Sequence, residues 1–162
     1  MSDLPDILRD AIQGRVCIVG VGNRMRGDDG AGPLVVDRVA GRLAADCLDA
    51  GVAPENYLEK IAAVRPETVL LVDAADFGGR PGDIRVFNAE SLGPGSLSTH
   101  AVSLGMTAAY LRARASAQTV LIGIQPASAS FGDAVSDEVA EAIEKVAGVL
   151  ERLYPVRGHS SE

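Results

Sequence analysis

The sequence predicts an α/β fold built on a largely parallel sheet. Residues 16–21, 68–72 and 119–124 are continuous apolar runs, the pattern of strands buried on both faces. Segments with helical apolar spacing lie between them, so consecutive strands connect by crossovers. The first run leads into a loop rich in glycine and acid. Open α/β sheets place their sites there, beyond the carboxyl ends of the strands.

The elements follow in order. Residues 4–12 form a short amphipathic stretch with Pro5 at a first helical position. Strand one spans 15–22, and the loop after it carries Asn23 and the adjacent pair Asp28 and Asp29. From Pro33 to Ala45 a helix is expected, with Val35, Val36, Val39 and Leu43 on one face. Residues 46–50 suit a short second strand. Residues 54–64 suit a helix, through Tyr57, Leu58, Ile61 and Val64. The run 68–72 ends on Asp73, with Asp76 close behind.

Pro81 and Gly82 mark a turn, and the alternating stretch 83–87 reads as a strand. Its short connection makes it an antiparallel edge. Residues 88–98 are loop, running into Ser98, Thr99 and His100. Ser103 is the expected cap of a helix reaching Arg114, with Arg112 and Arg114 placed to suit its dipole. The strand 119–124 ends in Gln125 and Pro126, and 127–134 is loop. Ser136 then caps the last helix, in which Val139, Ile143, Val146, Leu150 and Leu153 repeat at steps of four and three.

A length of 162 residues fits one domain, taken as 1–155, with a polar tail at 156–162. The net charge of −7 argues against nucleic acid, which requires a basic face. No apolar run approaches the ~18 residues of a membrane span. The first residues lack the basic and apolar regions of a secretory signal. Cys17 and Cys47 are expected as reduced core residues, which makes the chain cytoplasmic.

The residues able to do chemistry fall at strand ends. Asp28 and Asp29 follow strand one, Asp73 closes the middle run, and Gln125 closes the third. His100 precedes the Ser103 helix; the other histidine, His159, is in the tail. In a parallel sheet these loops share one rim, so Asp29, Asp73 and His100 are expected to converge. Two carboxylates and an imidazole make a ligand set for a divalent metal. Each residue also has a plain structural use. One of the acidic pair suits a helix cap, Asp73 suits a bond to a neighbouring loop, and His100 suits a turn. Asp76, Asp83 and Gln125 suit turns or hydrogen-bond networks.

Familiar motifs are excluded directly. Gly20 and Gly22 begin a dinucleotide fingerprint, but Met25 takes the place of its last glycine and the two acids would repel a pyrophosphate. A phosphate loop with Gly-Lys-Ser/Thr is absent, as is a G-x-S-x-G nucleophile elbow.

Four segments together carry a resemblance: GVGNRMRGDDGAG, LLVDAADFGGRPG, STHAVSLG and VLIGIQP. In this order they resemble the hydrogenase maturation proteases over residues 16–153. With GVAPEN, the last segment is most similar to the branch serving formate-hydrogenlyase-type nickel–iron hydrogenases. The resemblance implies a three-layer α/β/α sandwich with a mostly parallel, twisted, five-stranded sheet. It implies an endopeptidase that removes a C-terminal extension from the hydrogenase large-subunit precursor after nickel insertion. The substrate's own nickel would be what it senses.

Matched position by position, the family's metal ligands fall on Asp29, Asp73 and His100, which would also be the catalytic set. The first is Glu in some members and Asp here, a shorter arm. Asp28, Asp76 and Asn23 are candidates for supporting those ligands or orienting substrate. No nucleotide or organic cofactor is expected, and a monomer is. Two rival readings remain at this point: a nickel-independent peptidase using Asp29 and Asp73 as an aspartic dyad, and a metal-sensing chaperone that binds the precursor without cutting it.

Overall fold

The computed structural model describes residues 3–95 and 100–156 of the chain. Five strands form one sheet: β1 (Val16–Gly20), β2 (Asp46–Asp49), β3 (Thr68–Ala74), β4 (Ile84–Asn88) and β5 (Gln118–Ile124). Their order across the sheet is β2-β1-β3-β5-β4. The first four in that order run parallel, and β4 pairs antiparallel with β5 at the edge, as its short connection requires. The helices are α1 (Leu4–Ala11), α2 (Ala31–Val39), α3 (Leu58–Ala63), α4 (Ala101–Ala115) and α5 (Asp137–Leu153).

Because side chains alternate along a strand, each central strand feeds two cores. Val16, Ile18, Leu70, Val72, Val120 and Ile122 pack with α1, α2 and α5. Cys17, Val19, Val69, Leu71 and Leu121 pack with α3 and α4 on the other face. The result is the three-layer sandwich. Both cysteines are free thiols, and burial pushes the Cys17 thiol up to about 12. Among the described residues no helix is long and apolar enough to cross a membrane.

Chain reversal at the centre of the sheet positions the site. After β1 the chain moves outward to β2, then returns to place β3 on the other side of β1. The crevice beyond the carboxyl ends of β1 and β3 is therefore a topological switch point. Gly32 closes its floor. A Cβ there would stand 2.1 Å from the Val72 carbonyl oxygen and 2.4 Å from that of Val21, so only glycine lets α2 approach both strands.

Several boundaries differ from the sequence expectation. Helix α2 begins at Ala31, two residues before Pro33, and ends at Val39 rather than Ala45. Proline is tolerated at its third position because first-turn N–H groups have no partner inside the helix. The end comes where Ala40 turns extended and Gly41 takes a φ of +79°. Residues 54–64 divide into a tight 3-10 turn, Pro54–Tyr57, and α3. Strand β3 runs on through Asp73 to Ala74. Helix α4 begins at Ala101, so Ser103 lies inside it and is not its cap. The Ser136 cap holds: its hydroxyl accepts the Val139 N–H at 3.4 Å. Ser98, Thr99 and residues 157–162, His159 among them, lie outside the described residues.

Candidate metal-binding site

Asp29 sits in a 3-10 turn, Gly27–Gly30, in the loop that follows β1. The turn is pinned from both ends. The Asp29 N–H donates to the Arg26 carbonyl at 3.1 Å, and its carboxylate accepts the Asn23 N–H at 2.9 Å. Gly22 has a φ of +143°, and a Cβ there would meet the Asp29 carbonyl oxygen at 1.9 Å, so this glycine is required for the turn to close.

Asp73 is delivered by the end of β3 and is fully buried. His100 comes from the residue just before α4, on the opposite side of the crevice. Its Nδ1 lies 3.1 Å from Asp73 Oδ2. The tautomer with its proton on Nδ1 donates to Asp73 and carries its lone pair on Nε2, an arrangement that orients metal-binding imidazoles. The hydrogen bond to Asp73 raises the His100 pKa above its ordinary value. Burial opposes the rise, and the charges of Asp73, Asp29 and Glu55 add to it.

Asp29, Asp73 and His100 each offer a ligand atom, and the three atoms lie within 4.8 Å of one another. An ion held at ~2.0–2.2 Å from each ligand spaces ligand atoms by at most ~4.4 Å. A few tenths of an ångström of side-chain adjustment suffices for the set to close on one ion. Two hard oxygens and a borderline nitrogen suit a divalent first-row metal.

The supporting candidates separate clearly. Asp28, beside Asp29, is fully buried and belongs to the packing. Its carboxylate accepts the N–H groups of Ala127, Ser128 and Ser136 at 2.8–3.1 Å, and the Ser136 hydroxyl at 2.9 Å. It ties the loop that carries Asp29 to the start of α5, which is a bracing task. Burial alone would raise its pKa, but the bonds from Ser136, Ser128 and Ala127 outweigh that and lower it. Asp76 accepts from the Gln125 amide at 3.0 Å and the Gly78 N–H at 3.1 Å. Gln125 in turn accepts the Phe77 and Gly79 N–H groups, organising the loop after β3. Asn23 holds the Asp29 carboxylate through its N–H, while its side chain accepts the Met25 N–H at 2.9 Å.

A cavity of about 260 Å³ opens onto the site, lined by Asn23, Arg26, Asp29, Val52, His100 and Ala129. Larger grooves of about 540 and 480 Å³ flank α1 and β4, but neither holds a histidine or a comparable ligand set. No motif in the chain marks Arg26 or Ala129. Ala129 carries no signal in the chain. Arg26 was visible as a cation inside the acidic loop.

Comparison with known proteins agrees with this architecture. The HycI family model, described as hydrogenase maturation protease, matches residues 35–153. The hydrogenase 3 maturation protease of Escherichia coli K12 is 34% identical over 134 residues, covering 81% of this chain and 85% of that protein. The crystal structure of the nickel–iron hydrogenase maturation protease HycI from Thermococcus kodakarensis KOD1 superposes with a TM-score of 0.83. It is 34% identical and covers 91% of this chain and 97% of that one. The solution structure of the endopeptidase HycI from Escherichia coli gives a TM-score of 0.77 at 30% identity, covering 92% of this chain and all (100%) of that one.

Proposed function

The chain belongs to the hydrogenase maturation protease family, a family of peptidases, and on that premise we propose that it removes the C-terminal extension of a nickel–iron hydrogenase large-subunit precursor once nickel has been inserted. The precursor's nickel is part of the substrate and serves as the signal for cleavage. The protein acts in the cytoplasm as a monomer.

The single observation that supports this reading is the three-residue cluster, with ligand atoms of Asp29, Asp73 and His100 within 4.8 Å at the switch point of the sheet. Asp29 and Asp73 contribute carboxylate oxygens, and His100 contributes an imidazole nitrogen. When bound, a divalent ion supplies carbonyl polarisation and a lowered pKa for its water. The protein's own part is to hold the three ligands in register and to bring the precursor chain against them. Asn23 fixes the Asp29 carboxylate through its backbone N–H, and Asp73 fixes the ring of His100. The hydrogen bond between Asp73 and His100 gives the histidine a place that an Asp29–Asp73 dyad would not.

The test is an intact-mass assay on precursor prepared with and without nickel. Loss of a C-terminal peptide from the loaded form alone is the expected result. Equal cleavage of both forms would replace this reading by the aspartic dyad. Tight binding to the loaded form without any change in its mass would replace it by a chaperone.

A further inference from the structure

Arg26 lines the cavity that opens onto Asp29 and His100, and among the described residues it is the only lysine or arginine that does so. Two residues earlier, Arg24 is bound to carboxylates: it meets Asp37 through both terminal nitrogens and Asp49 at 2.8 Å. Arg26 forms no ion pair among the described residues. Its Nε donates to the Ala129 carbonyl at 3.2 Å, which anchors the side chain to the opposite loop. Its backbone is held as well. The N–H donates to the Asn23 carbonyl and the carbonyl accepts the Asp29 N–H, both at 3.1 Å.

This arrangement anchors the guanidinium through Nε while leaving both terminal amino groups without a partner among the described residues. A guanidinium held by one edge presents a preorganised fork, the geometry that suits a carboxylate. The surroundings make such a cation useful. The chain carries a net charge of −7, and the cavity contains Asp29 with Asp73 behind it. An acidic substrate segment approaching these groups is repelled unless a positive group lies beside its path. A clasp on Ala129 would need only one donor, and a neutral side chain supplies that.

We propose that Arg26 is a specificity residue that binds a carboxylate on the precursor chain next to the cleaved bond. The assignment rests on the endopeptidase reading above and deepens it. It selects precursors with an Asp or Glu side chain in that segment over those without one.

Steady-state cleavage of nickel-loaded precursor tests it. Arg26→Gln is expected to lower kcat/KM about tenfold, chiefly through KM, as for loss of a hydrogen bond to a charged group. The KM of the unaltered protein should rise with salt, and that of Arg26→Gln should not. Each acidic residue flanking the cleaved bond is then replaced by Lys in turn. One of these precursors should be cut poorly by the unaltered protein and well by Arg26→Glu. An unchanged KM in Arg26→Gln overturns the assignment, even if the variant melts at lower temperature, because that pattern belongs to a clasp alone. Failure of Arg26→Glu to rescue any Lys-substituted precursor also overturns it. If the unaltered protein leaves nickel-loaded precursor intact, the endopeptidase reading falls and this assignment with it.

Discussion

The imidazole of His100 and the carboxylate of Asp73 meet at 3.1 Å across 27 residues of sequence, one from the start of α4 and the other from the end of β3. Asp73 is fully buried, and the His100 side chain is 14% exposed. The pair therefore sits at the inner wall of the crevice, where both partners are shielded from screening by salt. Asp29 completes the cluster from the side of β1.

Asp29→Asn, Asp73→Asn and His100→Ala should each reduce precursor processing by about 100-fold or more, because removal of residues that merely orient ligands already costs 10- to 100-fold. Circular dichroism should show each variant folded. Normal processing by any of the three would remove that residue from the site.

The pH dependence of the metal-free protein follows from the same pair. The folded pKa of His100 is raised above its ordinary 6.5 by the bond to Asp73. The stabilisation is therefore fully present below pH 6.5 and is lost as pH rises through the raised value. The urea midpoint of the unaltered protein should exceed that of His100→Gln most in mild acid, with the gap closing on the alkaline side. In Asp73→Asn, the NMR titration of His100 should move to lower pH.

Asp28 should be structural where Asp29 is not. Asp28→Asn keeps one acceptor oxygen but turns an amide donor toward N–H groups, at a cost of about 3 kcal/mol. The folded Asp28 pKa is lowered from 3.8, so its contribution is present above that pH and is lost as pH falls through the lower folded value. Denaturation should show a constant gap between the two proteins at neutral pH that narrows only below 3.8. Hydrogen exchange should report faster opening of residues 127–136 in the variant.

Two glycine-to-alanine changes should act in opposite directions. Gly32→Ala drives a Cβ into the carbonyl oxygens of Val72 and Val21 and should cost about 3 kcal/mol or more. Gly148, inside α5, has no heavy atom within 4 Å of the added carbon, so Gly148→Ala should stabilise by about 0.5–1 kcal/mol. Thermal melts of the two variants distinguish a required close approach from an ordinary helical glycine.

Gln125 should govern the loop after β3. Its amide oxygen accepts from Phe77 and Gly79 while its NH2 donates to Asp76. Gln125→Glu places a second carboxylate against Asp76 and should destabilise by about 1–3 kcal/mol, with faster hydrogen exchange at residues 77–79. Gln125→Leu should speed the same amides with no recovery at low pH, whereas Gln125→Glu should recover as its new carboxyl becomes protonated.

Much of this protein is legible in its amino-acid sequence. The unbroken apolar runs at 16–21, 68–72 and 119–124 determine strands covered on both faces, because only such strands lack a polar side. Ser136 and the periodic apolar face behind it determine α5, because capping and amphipathicity act over a few residues. The acids at strand ends and the histidine before the helix at 103–114 likewise point to one rim. The three-dimensional structure decided what depends on distant partners. It separated Asp28 from Asp29, which neighbour each other in the chain. The loop at 127–136 and the cap of α5 supply Asp28 with four donors, and no local pattern announces that. It started α2 before Pro33, placed Ser103 inside α4 as a donor to Glu55, and brought Arg26 to Ala129 across 103 residues. Local pattern determines an element because its cause lies within the element. The partner of a buried charge is set by which loops the sheet order brings together, and only the folded chain supplies that.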